Sequence, residues 1–255
     1  MVIAILLCAS VAGEPAAPTS QPAAAHATDR VVSYAPGVRI DWAQLVVELD
    51  ARIVLRRGPL ELFACTPGTR EHESIVVVRA RPLHILEALG LIGLEPGMPA
   101  RYDTRSGQWT AARGGPLRVD VALPGKGADR VFGIHEWMRH TADGAPAERR
   151  DWVFSGSQRL SRGRLAADLE GTVICVVDFD SALIALPETH TSSDAALWLE
   201  AYTERIPPVG TPCVIRISSA KLVALKGRLT ARELEVLVRP TATTAPSPAP
   251  TDVRP

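Results

Sequence analysis

Short runs in which apolar and polar residues alternate dominate the middle of the chain. Val38 to Trp42 alternates, as do parts of Leu45–Leu49 and Ala51–Leu55. A period of two puts successive side chains on opposite faces, which predicts antiparallel strands with one solvated face. In Leu60 to Cys65 the same period puts Leu60, Leu62 and Ala64 on one side and Glu61, Phe63 and Cys65 on the other. Leu117 to Leu123 alternates well, and Cys213 to Ile217 reads as a further strand. Ser74–Val78 and Thr172–Val177 are apolar throughout and predict fully buried strands. One stretch breaks the pattern. Pro82 can open a helix, where its missing N–H costs nothing, and Leu83, Ile85, Leu86, Leu89 and Ile92 supply a broad apolar surface before Gly93 stops it. The pattern predicts an α+β domain, mainly antiparallel sheet with one helix, about 82–92, packed on it. No internal repeat is visible.

The ends of the chain lack this patterning. Residues 1–12 are apolar and close on Ser10, Val11 and Ala12, small residues at the spacing a signal peptidase reads. The run is shorter than the roughly 20 residues that a membrane-spanning helix needs, so a cleaved signal peptide is the expectation. Leu7 before Cys8 does not suit a lipoprotein site. Residues 13–36 are rich in Ala, Pro, Ser and Thr and read as a disordered linker, and residues 241–255 read as a disordered tail. Between them, residues 37–240 are expected to form a single β-rich domain. Thr230 to Glu233 fits a capping box that would open a helix over 231–238, although the LEVLV within it would equally serve as a strand. Lys plus Arg balances Asp plus Glu at 28 each, which gives no electrostatic reason to expect nucleic acid as a partner.

Candidate chemistry concentrates between Gly58 and Gly97. Glu61, Cys65, His72, Glu73, Ser74 and His84 lie there, separated by a turn, a strand and a helix that could fold them together. Three readings stay open. Cys65, His72 and His84, with Glu73 or Glu61 nearby, carry a thiolate and two imidazoles, donors that suit zinc or copper. Alternatively, Cys65 is a nucleophile activated by His72, with Glu73 orienting the imidazole and Glu61 and Ser74 binding nearby. In the third, Cys65 ends a buried strand and the short polar residues after it hydrogen-bond loop backbone.

The blocks GPLELFAC, HES, HILEALGLIGLEPG, WVFSGS, DLEGTVICVVDF and IPPVGT, in that order, resemble the bacterial YdjY-domain family over about residues 38–217. That resemblance implies an exported, periplasmic or secreted, β-rich protein with no established activity. The family pattern has a Lys two positions before the His; Arg70 stands there and keeps the charge. Some members carry a ferredoxin-like label, which implies four closely spaced cysteine ligands. There is no C-x-x-C here, and only Cys65, Cys175 and Cys213 follow the signal, so no iron–sulfur cluster is expected. Two functions follow. One is a non-catalytic binding or assembly module whose partner is an extracytoplasmic protein or a small ligand. The other is a metal- or thiol-dependent enzyme centred on Cys65 and His72.

Overall fold

Three long strands build one wall of the domain, and their sequences explain why. In a computed structural model, which describes residues 31–191, 193 and 196–221, β3 (Val46–Ile53) buries Val47, Leu49, Ala51 and Ile53 and turns Glu48, Asp50 and Arg52 outward. β8 (Gly115–Leu123) and β15 (Pro212–Ser219) alternate in the same way. β15 lies between the other two, antiparallel to both: Ile217 pairs with Val47 of β3 and with Val119 of β8. On the outer face Arg216 bonds Glu48 at 3.3 Å, and Arg39 bridges Glu48 and Asp50. The expected signal peptide (1–12), the linker up to residue 30, the helix over 231–238 and the tail 241–255 lie outside the described residues.

The opposite wall is buried on both faces. It consists of β4 (Leu62–Cys65), β5 (Ser74–Val78), β11 (Trp152–Phe154), β12 (Thr172–Cys175) and β13 (Ile184–Ala185). The hydrogen-bonded order β3-β15-β8-β11-β13-β12-β4-β5 returns to β3 through Ala51–Val78, Arg52–Val77 and Ile53–Val76, which closes an eight-stranded barrel. β1 (Val31–Ala35) and β2 (Val38–Asp41) extend from the first half of β3, and β9 (Arg130–Gly133) pairs with β8. β1 therefore occupies the last residues of the stretch whose composition reads as linker. Two small ladders stand apart: β6 (Arg101–Asp103) with β7 (Gln108–Thr110), and β10 (Met138–His140) with β14 (Leu199–Ala201).

The predicted architecture is thus corrected. A helix does form, α1 (Pro82–Leu91), and it buries Ile85, Ala88 and Leu89 against β2, β3 and the short α2 (Ala166–Glu170). But the domain is a closed, mostly β barrel, not an α+β sheet with a helix packed on it. The reason is that β3 is shared: β2 takes its first half and β5 its second, and only the second pairing closes the ring. Alternation reports which residues face inward, not which strands pair.

Two of the barrel's connections are alike. β4 runs parallel to β5, and β12 runs parallel to β13; each return uses eight residues, 66–73 and 176–183. Parallel neighbours usually need about a dozen residues or more to cross over, but these strands are short enough for less. β4 and β12 pair antiparallel in the middle, so the set β5-β4-β12-β13 has an approximate two-fold arrangement without a repeated sequence. The two returns meet where the Arg70 guanidinium lies 4.7 Å from the Phe179 ring centroid.

Candidate functional site

Cys65 closes β4, and its thiol has no solvent exposure. The strand does not keep a strict period of two, because its pairing with β12 shifts register between Thr172 and Cys175. Phe63 and Ala64 therefore join the main barrel core, while Leu62 and Cys65 turn into a smaller apolar cluster with Val77, Cys175, Ala182 and Ala185. Ala100, Ala112 and Trp109, from the arm over 96–115, pack against that cluster. Gly114 ties the arm down: a Cβ there would come 2.0 Å from the Phe154 carbonyl oxygen, so only glycine allows the approach. Burial pushes the Cys65 thiol up from its ordinary range. The Ser74 and Thr69 hydroxyls and the Arg70 backbone oppose that rise, and Glu71 adds to it. Ser74 is fully buried, and its Oγ makes no well-formed hydrogen bond even though it lies close enough to influence the thiol. Burial also raises Cys175 well above its usual value and pushes Cys213 up to about 12; all three thiols are free.

The polar residues of the same stretch form a network of their own. The Arg70 guanidinium donates to Glu61 Oε2 at 2.8 Å and approaches Glu73 Oε2 at 3.6 Å. The Glu61 side chain is only 8% exposed, so Arg70 serves as the counter-ion of a nearly buried carboxylate. His72 stands outside, 74% exposed, with Nε2 3.4 Å from Glu73 Oε1. His84 lies on α1, where its buried Nδ1 has no hydrogen-bond partner. The structure thus gathers Glu61, Arg70, Glu73 and His72 into one network and puts Cys65 with Ser74 in the dry layer. Among the described residues, no three His, Cys, Asp or Glu side chains converge to hold a metal ion, and Cys65, His72 and His84 share no centre.

A second region was not singled out by its sequence. A cleft of about 240 Å³ opens between β8, the 3₁₀ turn Ile134–Trp137 and the segment that enters β11. Arg118, Arg149, Arg150 and His135 line it, and its floor is formed by Val119, Ile134 and Trp152, whose side chains belong to the barrel core. Arg118 Nε donates to Asp120 Oδ2 at 2.8 Å, and Arg149 approaches the other Asp120 oxygen at 3.9 Å. Arg150 reaches away to Glu188 at 3.3 Å and stacks near Trp198. Burial, then the neighbouring Arg149 charge, lower the His135 pKa and favour the neutral ring.

A model of the YdjY domain matches residues 38–218. The chain belongs to the YdjY domain family. The match begins at the first residue of β2 and ends within β15, so the family's unit contains the whole closed barrel. No curated protein and no solved structure matches the chain.

In this YdjY domain the chemically rich stretch and the accessible cleft are different places. The former offers a shielded thiol and a carboxylate–guanidinium network; the latter offers hydrogen-bond donors beside apolar surface. Glu136 Oε1 accepts the Gly133 backbone N–H at 2.8 Å, which fixes the turn that presents His135. The consecutive Arg149 and Arg150 just before the buried Trp152 were the available signal. Among the described residues, no helix is long and apolar enough to cross a membrane.

Proposed function

We propose that this YdjY domain is a non-catalytic binding module that acts outside the cytoplasm. The observation that carries the reading is the contrast in access: the Cys65 thiol is fully buried with its pKa raised, whereas a cleft lined by guanidinium donors is open to solvent. A thiol reacts as its thiolate, and burial in an apolar layer disfavours that form. Concave sites with an apolar wall and a few polar groups are the usual places for small ligands. Residues 1–12, with Ser10, Val11 and Ala12 at their end, support export.

The test is thiol labelling of the folded chain at mildly alkaline pH, in a Cys8→Ser background. Cys65, Cys175 and Cys213 are expected to stay unmodified until urea unfolds the protein. Rapid labelling of Cys65 in the folded state, lost in His72→Ala, would overturn the proposal in favour of a thiol enzyme centred on Cys65 and His72.

A further inference from the structure

Gly133 explains how the cleft is built. A Cβ at this position would come 2.3 Å from His135 Cε1, 2.5 Å from His135 Nδ1 and 3.2 Å from Arg149 Nη2. The missing side chain leaves the space into which both the imidazole and the guanidinium fold. Arg118 approaches from β8 and Arg150 from the segment beside Trp152. Inside the cleft, Asp120 is the partner of both Arg118 and Arg149, and it engages Arg149 only at 3.9 Å. A guanidinium has more N–H donors than these contacts use, so donors remain for a further acceptor.

We propose that this cleft binds a small organic monocarboxylate, and the proposal rests on the binding-module reading above. Arg149 and Arg118 supply charge-assisted hydrogen bonds to the carboxylate, and His135 adds a neutral ring beside it. The small organic body lies on the cleft floor, where Ile134 and Trp152 come to its surface. Three features select this class. The arginines favour a planar oxyanion that guanidinium can hold through paired bonds. Asp120 and Asp151 line the same cleft and repel a second negative charge, which disfavours phosphate dianions. The volume of about 240 Å³ lies below the range typical of drug-sized ligands, which limits the body to a small group.

The experiment is calorimetric titration of the full chain with benzoate and butyrate, with benzyl alcohol and inorganic phosphate as controls. Saturable binding of at least one carboxylate is expected, with benzyl alcohol silent and phosphate weaker. Arg149→Gln should weaken binding by about ten-fold, the effect of losing one charge-assisted hydrogen bond. Gly133→Ala should weaken it similarly by displacing His135 and Arg149. Its φ of −68° suits alanine, and the displaced atoms are side-chain ends, so the fold is retained. If Gly133→Ala nevertheless fails to fold, Arg149→Gln decides alone. The proposal is overturned if neither carboxylate binds, if the alcohol binds equally well, if phosphate binds more tightly, or if the variant that folds binds like the parent. Absent carboxylate binding with inert thiols removes this ligand class alone; a reactive Cys65 removes the binding-module reading itself.

Discussion

The wall around Cys65 and the cleft around Arg149 are built from similar polar ingredients and differ in water. In the wall, Glu61, Ser74, Cys65 and Cys175 are buried, and Arg70 reaches in to pair the nearly buried Glu61 carboxylate. In the cleft, the Arg149 side chain is 55% exposed and its carboxylate partner stands at 3.9 Å. The difference teaches that residue type alone does not locate chemistry. A charged group that is tightly paired away from solvent supports the fold, whereas the same group loosely paired at a concave surface retains bonds to give.

Removing the two arginines separates the regions most sharply. Arg70→Ala leaves Glu61 buried without its guanidinium, and urea denaturation should show a loss of about 3 kcal/mol. A loss no larger than that of Arg149→Ala would erase the contrast. The next effect concerns Asp178, in the second return of the wall. Its carboxylate accepts the His190 N–H at 2.8 Å, and burial raises its pKa to about 6. A raised carboxyl value means that the folded state holds the proton more tightly. The stabilisation is complete below about pH 4, the unfolded range, and is lost as pH rises through about 6. Denaturation across that window should show a decline of up to about 3 kcal/mol, and Asp178→Asn should flatten it. Cys65→Ser puts a hydroxyl into the apolar layer and should cost about 1 to 2 kcal/mol, measured in the same way. Smallest of all, Arg149→Ala should change stability by no more than about 0.5 kcal/mol, since the pair is exposed and long.

What the sequence made legible follows from how local each feature is. The strands around Val47, Val119 and Ile215 announce themselves by alternation, because one face of that wall is wet. The helix after Pro82 is legible from its own periodicity and from Gly93, whose φ is +84°. Closure of the barrel is not legible, since it depends on β5 pairing with the second half of β3, a choice between partners of equal apolar character. The register shift opposite Ala64 is equally hidden, and it sends Cys65 away from Phe63. Sequence proximity drew attention to Cys65, His72 and His84, but a buried strand end, an exposed turn and a helix place them in three environments. The cleft takes Arg118, His135 and Arg149 from three separated segments, and its shaping residue, Gly133, carries no functional group at all.

The insertion of β15 between β3 and β8 governs how this protein can be made. Val47 pairs with Ile40 on one side, but its other edge, like that of Val119, is met only by Ile217, so two earlier strands each keep an open edge until β15 is made. Closure is therefore a late, long-range event, of the kind that slows folding and leaves sticky edges exposed meanwhile. A chain released from the ribosome before residue 219 would lack its central stave and depend on chaperones, whatever the quality of its first half.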